Sequence, residues 1–443
     1  MAIASEIRAL VLSGQLPVGA QLPSERASAE GLGVSRTTAS AAYRVLRTSG
    51  LITTAQGRRA VLQIPRGGVA DIMPEPHEGE MIDLATGAPM PHSELLESLY
   101  REAASMLPVF FSRTSLPVYG LLELRRLVAQ RFTERGLPTE EDEVLITAGA
   151  QDALRRVLEA ETRRGDSVLV EQPTYPQAAN LVMRAGRAPA SAPIGLPPDE
   201  PGWDSEKTAA AYTRARPICH YTIPDGHNPT GLVMGDDARR SLAATAESAG
   251  TTLLVDETTT ELTSYPDRPR PRPLASYVRN RRLAVTVGSL SKIYWPGLRV
   301  GWVRAGPEVI ASLAMSQSGA EASCSIMDQL TAMQVFRNMD SVRAIRSAQL
   351  SRSRAAAMQA LADALPDAQC IQGDGFTLWV RLSRPLAPAL CASAQARGVR
   401  IRPGPHFGFD ESFSDYIRIP LVQPPDVLKE GIGRLGETYA QLG

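Results

Sequence analysis

The feature that most constrains the fold is a regular alternation of short β-branched strands with helical patterns, which begins near residue 82. Strands are predicted at residues 144–147, 167–171, 218–222, 252–256, 284–288 and 300–304. Alternation of this kind is typical of a doubly wound α/β domain with functional groups at the carboxyl ends of its strands. A long helical region then reaches about residue 365, and elements at 376–382, 387–397, 399–402 and 416–420 predict a smaller α+β domain.

The first 64 residues have a different order of predicted helices and strands, which is typical of a winged helix-turn-helix. Ser24 and Ser35 stand at the N-cap positions of two helices, the second of which covers residues 36–48. An earlier helix is predicted from the spacing of Ile3, Ile7, Leu10 and Val11, and strands at 50–52 and 61–64 flank a hairpin tip at 56–59.

Charge is distributed unevenly along the chain. The formal net charge is +0, but residues 1–66 carry eight arginines against three glutamates, so the remainder has a matching acidic excess. A basic head on an acidic body predicts that the head meets an anion such as nucleic acid. The alternative is that the chain is simply rich in arginine.

The head resembles the GntR family. The pattern Gly-x-Leu-Pro-x-Gly-x-x-Leu-Pro-Ser-x-Arg occurs at residues 14–26, and Gly-Val-Ser-Arg-x-Thr occurs at 33–38. The resemblance implies that the helix over 36–48 enters the major groove of double-stranded DNA. A structural domain that has lost DNA binding is the alternative. The implied DNA-binding residues are Arg26, Ser35, Arg36, Thr37 and Thr38, with Arg58 and Arg59 on a wing that lacks the family's Gly-x-Gly-Thr.

Residues 65–81 are rich in proline, glycine and acidic side chains, which predicts a semi-extended linker between a head at 1–64 and a body at 82–443. The four cysteines are widely spaced, which predicts free thiols in a reducing compartment. The sequence has no apolar run long enough to span a bilayer and no signal-peptide pattern. We therefore expect a cytoplasmic protein.

One lysine of the body requires an explanation, because only Lys207, Lys292 and Lys429 are lysines among the 47 Lys and Arg residues. Lys292 follows the strand at 284–288 in the stretch Gly-Ser-Leu-Ser-Lys. A lysine amine can form a Schiff base with an aldehyde cofactor, and a guanidinium cannot. Taken alone, the motif is also compatible with an ordinary surface-loop lysine.

Other predicted strand ends carry groups that suit a planar anionic cofactor. Ala150 and Gln151 open a helix after the strand at 144–147, and free N–H groups at a helix start can hold a phosphate. Tyr175 can stack on a ring, and Asn228, in Asn-Pro-Thr-Gly, presents an amide. Asp256 ends an apolar strand and needs a donor or a cation, such as a pyridinium. Taken singly, these features are also common in structural loops.

The order of these motifs resembles the fold-type I aminotransferases, which use pyridoxal 5′-phosphate, over residues 82–443. The resemblance implies that Lys292 binds the cofactor as a Schiff base and moves protons, and that Asp256 keeps the pyridine nitrogen protonated. It places Arg418 at the α-carboxylate of a substrate or effector, and it implies no metal. The implied cofactor-binding residues are Ala150, Gln151, Tyr175, Asn228, Asp256, Ser289, Lys292 and Arg299.

Two positions depart from the aminotransferase pattern. The family has a tyrosine two or three residues after the strand-end aspartate, where this chain has Thr258 and Thr259. It has another tyrosine where Ser115 stands, with Tyr119 displaced toward Gly120. Both departures predict that transaminase activity is weak or absent while cofactor binding is retained.

A GntR-type head on an aminotransferase body is similar to the MocR group of transcriptional regulators, and the lysine motif is similar to that of its YczR-type branch. The resemblance implies a DNA-binding regulator that senses pyridoxal phosphate or an amino compound and assembles as a head-to-tail homodimer on paired operator half-sites. An active aminotransferase with an accessory DNA-binding head is the main alternative. A sensor of the cofactor alone, which would not need Arg418, is another.

Overall fold

The computed structural model of the chain describes residues 3–4, 7, 16, 20–48, 51–53, 59–62, 81–112, 117–196, 202–315, 324–409 and 412–442. Most of the predicted first helix, most of the hairpin tip and all of the predicted linker except residue 81 lie outside these ranges. Arg58 and Ser115 also lie outside the described residues.

The described part of the head includes helices α1 and α2 and a pair of short strands around a small core. Helix α1 (Glu25–Gly31) begins after Ser24, whose Oγ accepts a hydrogen bond from the Ala27 N–H. Helix α2 (Arg36–Thr48) has the predicted bounds, and strands β1 (Ile52–Thr53) and β2 (Val61–Leu62) pair antiparallel. The apolar face of α2 packs through Leu46 into this core. In its first turn Arg36, Thr37 and Thr38 are exposed, whereas Ala39 is buried.

A seven-stranded sheet forms the centre of the body, in the order β4-β10-β9-β8-β7-β5-β6. Strand β10 runs antiparallel to both of its neighbours, and the other strands run parallel to one another. Both faces are buried under helices, and the central strands β8 and β9 are accordingly made mostly of apolar or β-branched residues. The strands are β4 (Val144–Thr147), β5 (Ser167–Gln172), β6 (Ala188–Pro193), β7 (Cys219–Thr222), β8 (Thr252–Asp256), β9 (Ala284–Ser289) and β10 (Gly301–Arg304).

The helices of the body connect and cover these strands. Between the head and the end of the large sheet they are α3 (Ser93–Met106), α4 (Leu122–Glu134), α5 (Ala150–Glu161), α6 (Pro176–Arg184), α7 (Ser205–Ala215) and α8 (Asp236–Ala249). After β10 they are α9 (Pro307–Met315), α10 (Ile326–Arg337), α11 (Met339–Ala364), α12 (Ala387–Ala396) and α13 (Pro425–Gln441). No helix in the described part of the chain is both long and apolar enough to cross a membrane.

A second sheet of five strands forms the smaller part of the body, in the order β11-β12-β14-β13-β3. Strand β3 comes from the start of the body and lies parallel to β13, whereas the other pairs in this sheet are antiparallel. The chain therefore reaches the small sheet before it enters the large one. The strands are β3 (Ile82–Leu84), β11 (Gln369–Cys370), β12 (Thr377–Arg381), β13 (Val399–Pro403) and β14 (Tyr416–Pro420).

The predicted doubly wound domain with a smaller α+β domain is confirmed. The predicted helical region between residues 305 and 365 is confirmed, and its described residues form the three helices α9, α10 and α11. Strands β3, β6 and β11 were not predicted from the sequence. The edge strand β6 reads Ala-Pro-Ala-Ser-Ala-Pro and has neither β-branched residues nor alternation. Prolines are tolerated there because an edge strand needs fewer ladder hydrogen bonds.

Candidate functional site

Lys292 lies in the turn after β9, where the sheet, the small domain and the start of the body meet. Its Nζ donates a hydrogen bond of 2.6 Å to the carbonyl oxygen of Gly87 and lies 5.3 Å from the centre of the Phe376 ring. Burial, helped by the nearby charge of Arg418, lowers the pKa of the Lys292 amine to about 8, although Asp256 acts in the opposite direction. A sizeable fraction of this amine is therefore uncharged, and nucleophilic, near neutral pH.

Asp256 ends β8 and is buried. Its two carboxylate oxygens accept hydrogen bonds from the Tyr221 hydroxyl, at 2.7 Å, and from the Thr258 N–H, at 2.9 Å. Burial raises the pKa of Asp256, while the bonds from Thr258 and Tyr221 and the charge of Lys292 oppose that rise. A buried carboxylate with this set of donors suits a cationic ring nitrogen as its additional partner.

The start of α5 has the properties of an anion site. Gly149 precedes the helix with φ +96°, and in the described part of the chain no side chain caps its N–H groups. The Arg299 guanidinium lies directly over this turn and donates to the Ala148 carbonyl at 3.0 Å. A Cβ added at Gly149 would come within 3.2 Å of Arg299 Nη2, so a side chain there would fill the space between turn and guanidinium. Helix N–H groups facing an arginine form a phosphate-binding arrangement.

Ser289 and Gln151 border the same turn. The Ser289 hydroxyl donates to the Val300 carbonyl at 2.9 Å and accepts the Ser291 N–H at 3.1 Å. The Gln151 amide donates to the Tyr175 hydroxyl at 2.8 Å. Tyr175 is half-buried, and burial raises its pKa while Asp256, Arg418 and Arg299 all act on it electrostatically. The stretches that contain Ala150, Tyr175, Asp256 and Arg299 thus converge in one place.

Arg418 and Asn228 form the opposite side of the site. Arg418 is buried on β14, and its guanidinium lies 3.5 Å from Asn228 Oδ1, also donates to the Ala85 carbonyl and stacks 5.0 Å from the Phe407 ring centre. Its Nε is buried with no hydrogen-bond partner among the described residues. Burial, together with the charge of Arg402, lowers the pKa of Arg418 to about 10. A buried guanidinium that contacts only neutral groups suits a carboxylate ligand.

Three residues of this site were missed from the sequence. Gly87 supplies a carbonyl, Phe376 a ring against Lys292, and Tyr221 a donor to Asp256. The glycine at position 87 is itself a sequence signal for a close approach of two segments, since a Cβ there would lie 2.6 Å from Phe376. Glycine is required where two segments approach this closely. The roles assigned to the cofactor-binding residues remain predictions.

The residues at the two departures have structural partners. Thr258 contributes its backbone N–H to Asp256, and the Thr259 hydroxyl donates to the Asp225 carbonyl. The ring of Tyr119 lies 5.6 Å from the Arg125 guanidinium. These contacts do not test how much transaminase activity survives.

The candidate DNA-binding residues lie on the exposed N-terminal end of α2 and beside it. Ser35, Arg36, Thr37 and Thr38 are exposed, and the Ser35 hydroxyl accepts the Thr38 N–H at 3.1 Å, which caps the helix. Arg26 is exposed and pairs with Glu30. Arg36 and Arg59 are exposed and have no ion pair with any residue that the structure describes. These two cations are therefore available to a phosphate backbone.

Comparisons with known proteins match both parts of the chain. The family model "Aminotransferase class I and II" matches residues 80–435, and "Bacterial regulatory proteins, gntR family" matches residues 1–62. The HTH-type transcriptional regulator YdcR of Escherichia coli, named as uncharacterized, is 26% identical over 94% of this chain and 93% of its own length. The HTH-type pyridoxine biosynthesis transcriptional regulator PdxR of Corynebacterium glutamicum is 29% identical over 68% of this chain and 64% of its own length.

The body of this chain has the same fold as solved aminotransferases. The α-aminoadipate aminotransferase LysN of Thermus thermophilus, determined with a phosphopyridoxyl-leucine, superposes with a TM-score of 0.74 at 26% identity and covers 82% of this chain and 93% of its own. The kynurenine aminotransferase of Pyrococcus horikoshii superposes with a TM-score of 0.75 at 22% identity and covers 82% and 92%.

The lowered pKa of Lys292 predicts selective chemistry at this amine. Trinitrobenzenesulfonate does not titrate in this range and arylates only uncharged amines, so we expect its rate at Lys292 to rise as the pH increases through about 8 and then to level off. Peptide mass spectrometry after brief exposure measures the rate, with Lys207 and Lys429 as controls in the same digest. A rate at Lys292 that keeps rising at higher pH without a plateau would contradict the prediction.

The hydrogen bond from Tyr221 to Asp256 predicts that Tyr221→Phe weakens pyridoxal phosphate binding about tenfold, since a hydrogen bond to a charged group contributes roughly 1.5–3 kcal/mol. The dissociation constant is measured by absorbance titration. Tyr212→Phe is a matched control, because it removes another buried hydroxyl, which bonds His220 at 3.0 Å. Equal effects of the two substitutions would mean that Tyr221 does not support Asp256.

Proposed function

This chain belongs to the aminotransferase class I and II family and begins with a GntR-type DNA-binding domain, and we propose that it is a transcriptional regulator whose body senses pyridoxal phosphate or an amino compound. The observation that carries the proposal is the presence of two separate sites in one chain. The head exposes cations at the start of α2, and the body surrounds a lysine of lowered pKa with the uncapped start of helix α5, a buried aspartate and an arginine.

The donors of the body fit pyridoxal phosphate, the cofactor of this family. When bound, this cofactor supplies an aldehyde that attaches to a lysine amine and a ring that withdraws electrons. In our proposal the start of α5 at Ala150 and Gln151, together with Ser289 and Arg299, holds the phosphate. Lys292 provides the amine, Asp256 faces the ring nitrogen, Asn228 donates to the ring oxygen, and Tyr175 stacks on the ring.

The same residues connect the site to the head. In the structure, Lys292 donates to the Gly87 carbonyl and Arg418 donates to the Ala85 carbonyl. Both carbonyls lie in the first turn of chain after β3, and β3 directly follows the segment that we propose as the linker. A ligand that engages Lys292 and Arg418 would take two donors away from this turn. Such differential contact is what an effector needs in order to bias one conformation over another.

We further propose a head at residues 1–64, a linker at 65–81 and a cofactor-binding body at 82–443. Two copies would form a head-to-tail homodimer, so that the two heads meet paired half-sites on double-stranded DNA. The four free cysteines and the DNA-binding head support a cytoplasmic location, where thiols stay reduced.

The experiment that tests the proposal is a footprint of the protein on the DNA upstream of its own gene, with and without pyridoxal phosphate. We expect protection of two half-sites and a change in affinity when the cofactor is added. Transfer of amino groups from an amino acid to a keto acid is measured on the same preparation. Steady turnover without a footprint would favour the alternative of an active aminotransferase.

We expect that removal of the Lys292 amine abolishes the response of the protein to pyridoxal phosphate. Lys292→Ala is expected to abolish the visible absorbance that pyridoxal phosphate gives with the wild-type chain, and with it any effect of the cofactor on DNA affinity. DNA affinity without cofactor should stay within about twofold, because Lys292 lies in the body. Lys207→Ala is the matched control, and a wild-type cofactor response in Lys292→Ala would refute the assignment.

The head predicts an electrostatic effect on DNA binding. Arg36→Ala is expected to weaken binding and to reduce the slope of log affinity against log salt by about 1, as the loss of one phosphate contact does. Fluorescence anisotropy at several salt concentrations measures both quantities. Arg163→Ala removes an exposed arginine of the body and serves as the control. An unchanged slope in Arg36→Ala would exclude a phosphate contact at this position.

A further inference from the structure

The small sheet presents three arginines on one face at the site. Arg402 on β13 lies directly opposite Arg418 on β14, and directly opposed residues of an antiparallel pair point to the same side. Arg400 precedes Arg402 by two residues and therefore shares that side. Arg418 reaches Asn228 of the large domain from this face. The face thus borders the place where an amino ligand would bind.

Only one carboxylate of the small sheet balances these charges, and it is already occupied. Asp83 on β3 is in register with Arg400, which donates to it at 2.5 and 3.4 Å. Asp83 also accepts the N–H groups of Ala85 and Thr86, at 2.8 and 3.0 Å. Burial opposes ionisation of Asp83, but the hydrogen bonds from Arg400, Thr86 and Ala85 lower its pKa. It remains a single negative charge among three guanidinium groups.

Arg402 has no hydrogen bond or ion pair with any residue that the structure describes, although it is half-buried. Burial, together with the charge of Arg400, lowers its pKa. Like charges directly opposite each other in a sheet are destabilising, so the half-buried Arg402 beside Arg418 costs stability unless an anion lies between them.

His406 follows β13 and does not offset the charge. Burial and the charges of Arg402 and Arg418 lower its pKa to about 3, so its ring is neutral near pH 7 and packs edge-on against Phe407 at 5.2 Å. Arg381 lies on the same face and is paired with Asp415 at 2.8 Å. The other three guanidinium groups, the Asp83 carboxylate and the neutral imidazole therefore leave an excess of two positive charges on this face.

We propose that Arg402 and Arg418 together bind an amino acid that carries two anionic groups, with Arg418 on one carboxylate and Arg402 on the second acidic group. Opposed residues in an antiparallel pair are about 5 Å apart at Cα, so two acidic groups joined by a few carbon atoms can reach both guanidinium groups. This inference rests on the proposed function, because it names the chemical class of the effector for the same site.

The test compares ligands that differ only in the second charge. Calorimetry with the full chain loaded with pyridoxal phosphate measures the dissociation constants of L-glutamate and L-glutamine, and then of L-aspartate and L-asparagine. We expect the wild-type chain to bind the acidic member of at least one pair about tenfold or more tightly, as a charge-assisted hydrogen bond permits. In Arg402→Gln this preference should disappear through weaker binding of the acid, while the amide binds within about twofold of wild type.

Arg402→Lys keeps the charge and guards against a folding defect, and it should retain part of the preference. Arg397→Gln, on the end of the neighbouring helix, is the control, and thermal unfolding is recorded for every variant. Equal weakening of acid and amide in Arg402→Gln would show that Arg402 only supports Arg418, and this would overturn the proposal. No preference for the acid in the wild-type chain would also overturn it.

The proposed function is tested separately, by fluorescence anisotropy measurements of the affinity for operator DNA in the presence of each ligand. Glutamate that binds through Arg402 in a chain whose DNA affinity responds neither to glutamate nor to pyridoxal phosphate would leave the anion site in place and refute the sensing role. If DNA affinity responds to pyridoxal phosphate or to a neutral amino acid but no acidic preference exists, the regulator proposal stands and the dianionic effector is excluded.

Discussion

The structure of the site depends on two buried cations that are held by one short turn of backbone. Lys292 and Arg418 come from different domains of the body, yet their hydrogen bonds end on the carbonyls of Gly87 and Ala85. A buried cation needs acceptors, and this turn provides them. The turn is thereby fixed against both domains, and its position depends on what else the two cations bind.

The sequence predicted those parts of the site that belong to single elements. Asp256 is the last residue of a fully buried strand and Ala150 the first of a helix, and both are visible as an apolar run that ends at a polar or small residue. Parallel strands bring their carboxyl ends to one edge, which is why groups far apart in the chain were expected to converge. Helix α2 was predicted with its observed bounds because its cap and its apolar spacing agree.

The contacts that the sequence could not predict join elements without a periodic relation. Tyr221 reaches Asp256 from the neighbouring strand, and Phe376 comes from the small domain to lie against Lys292. The cross-strand pairing of Arg402 with Arg418 depends on the register of β13 against β14, and a shift of one residue would turn Arg402 to the other face. Hydrophobic pattern alone does not fix that register, because two of the five residues in β13 are arginines and one is a proline.

The energetics of the turn explain how such a site can act on DNA affinity. Replacing two hydrogen bonds to charged groups changes the free energy of the turn by roughly 1.5–3 kcal/mol each, before new contacts offset part of it. A net difference of about 1–3 kcal/mol between two arrangements corresponds to a change of about 5- to 150-fold in a coupled affinity. We propose that, in a chain whose turn leads back toward a DNA-binding head, this dependence transmits the occupancy of the site to the operator.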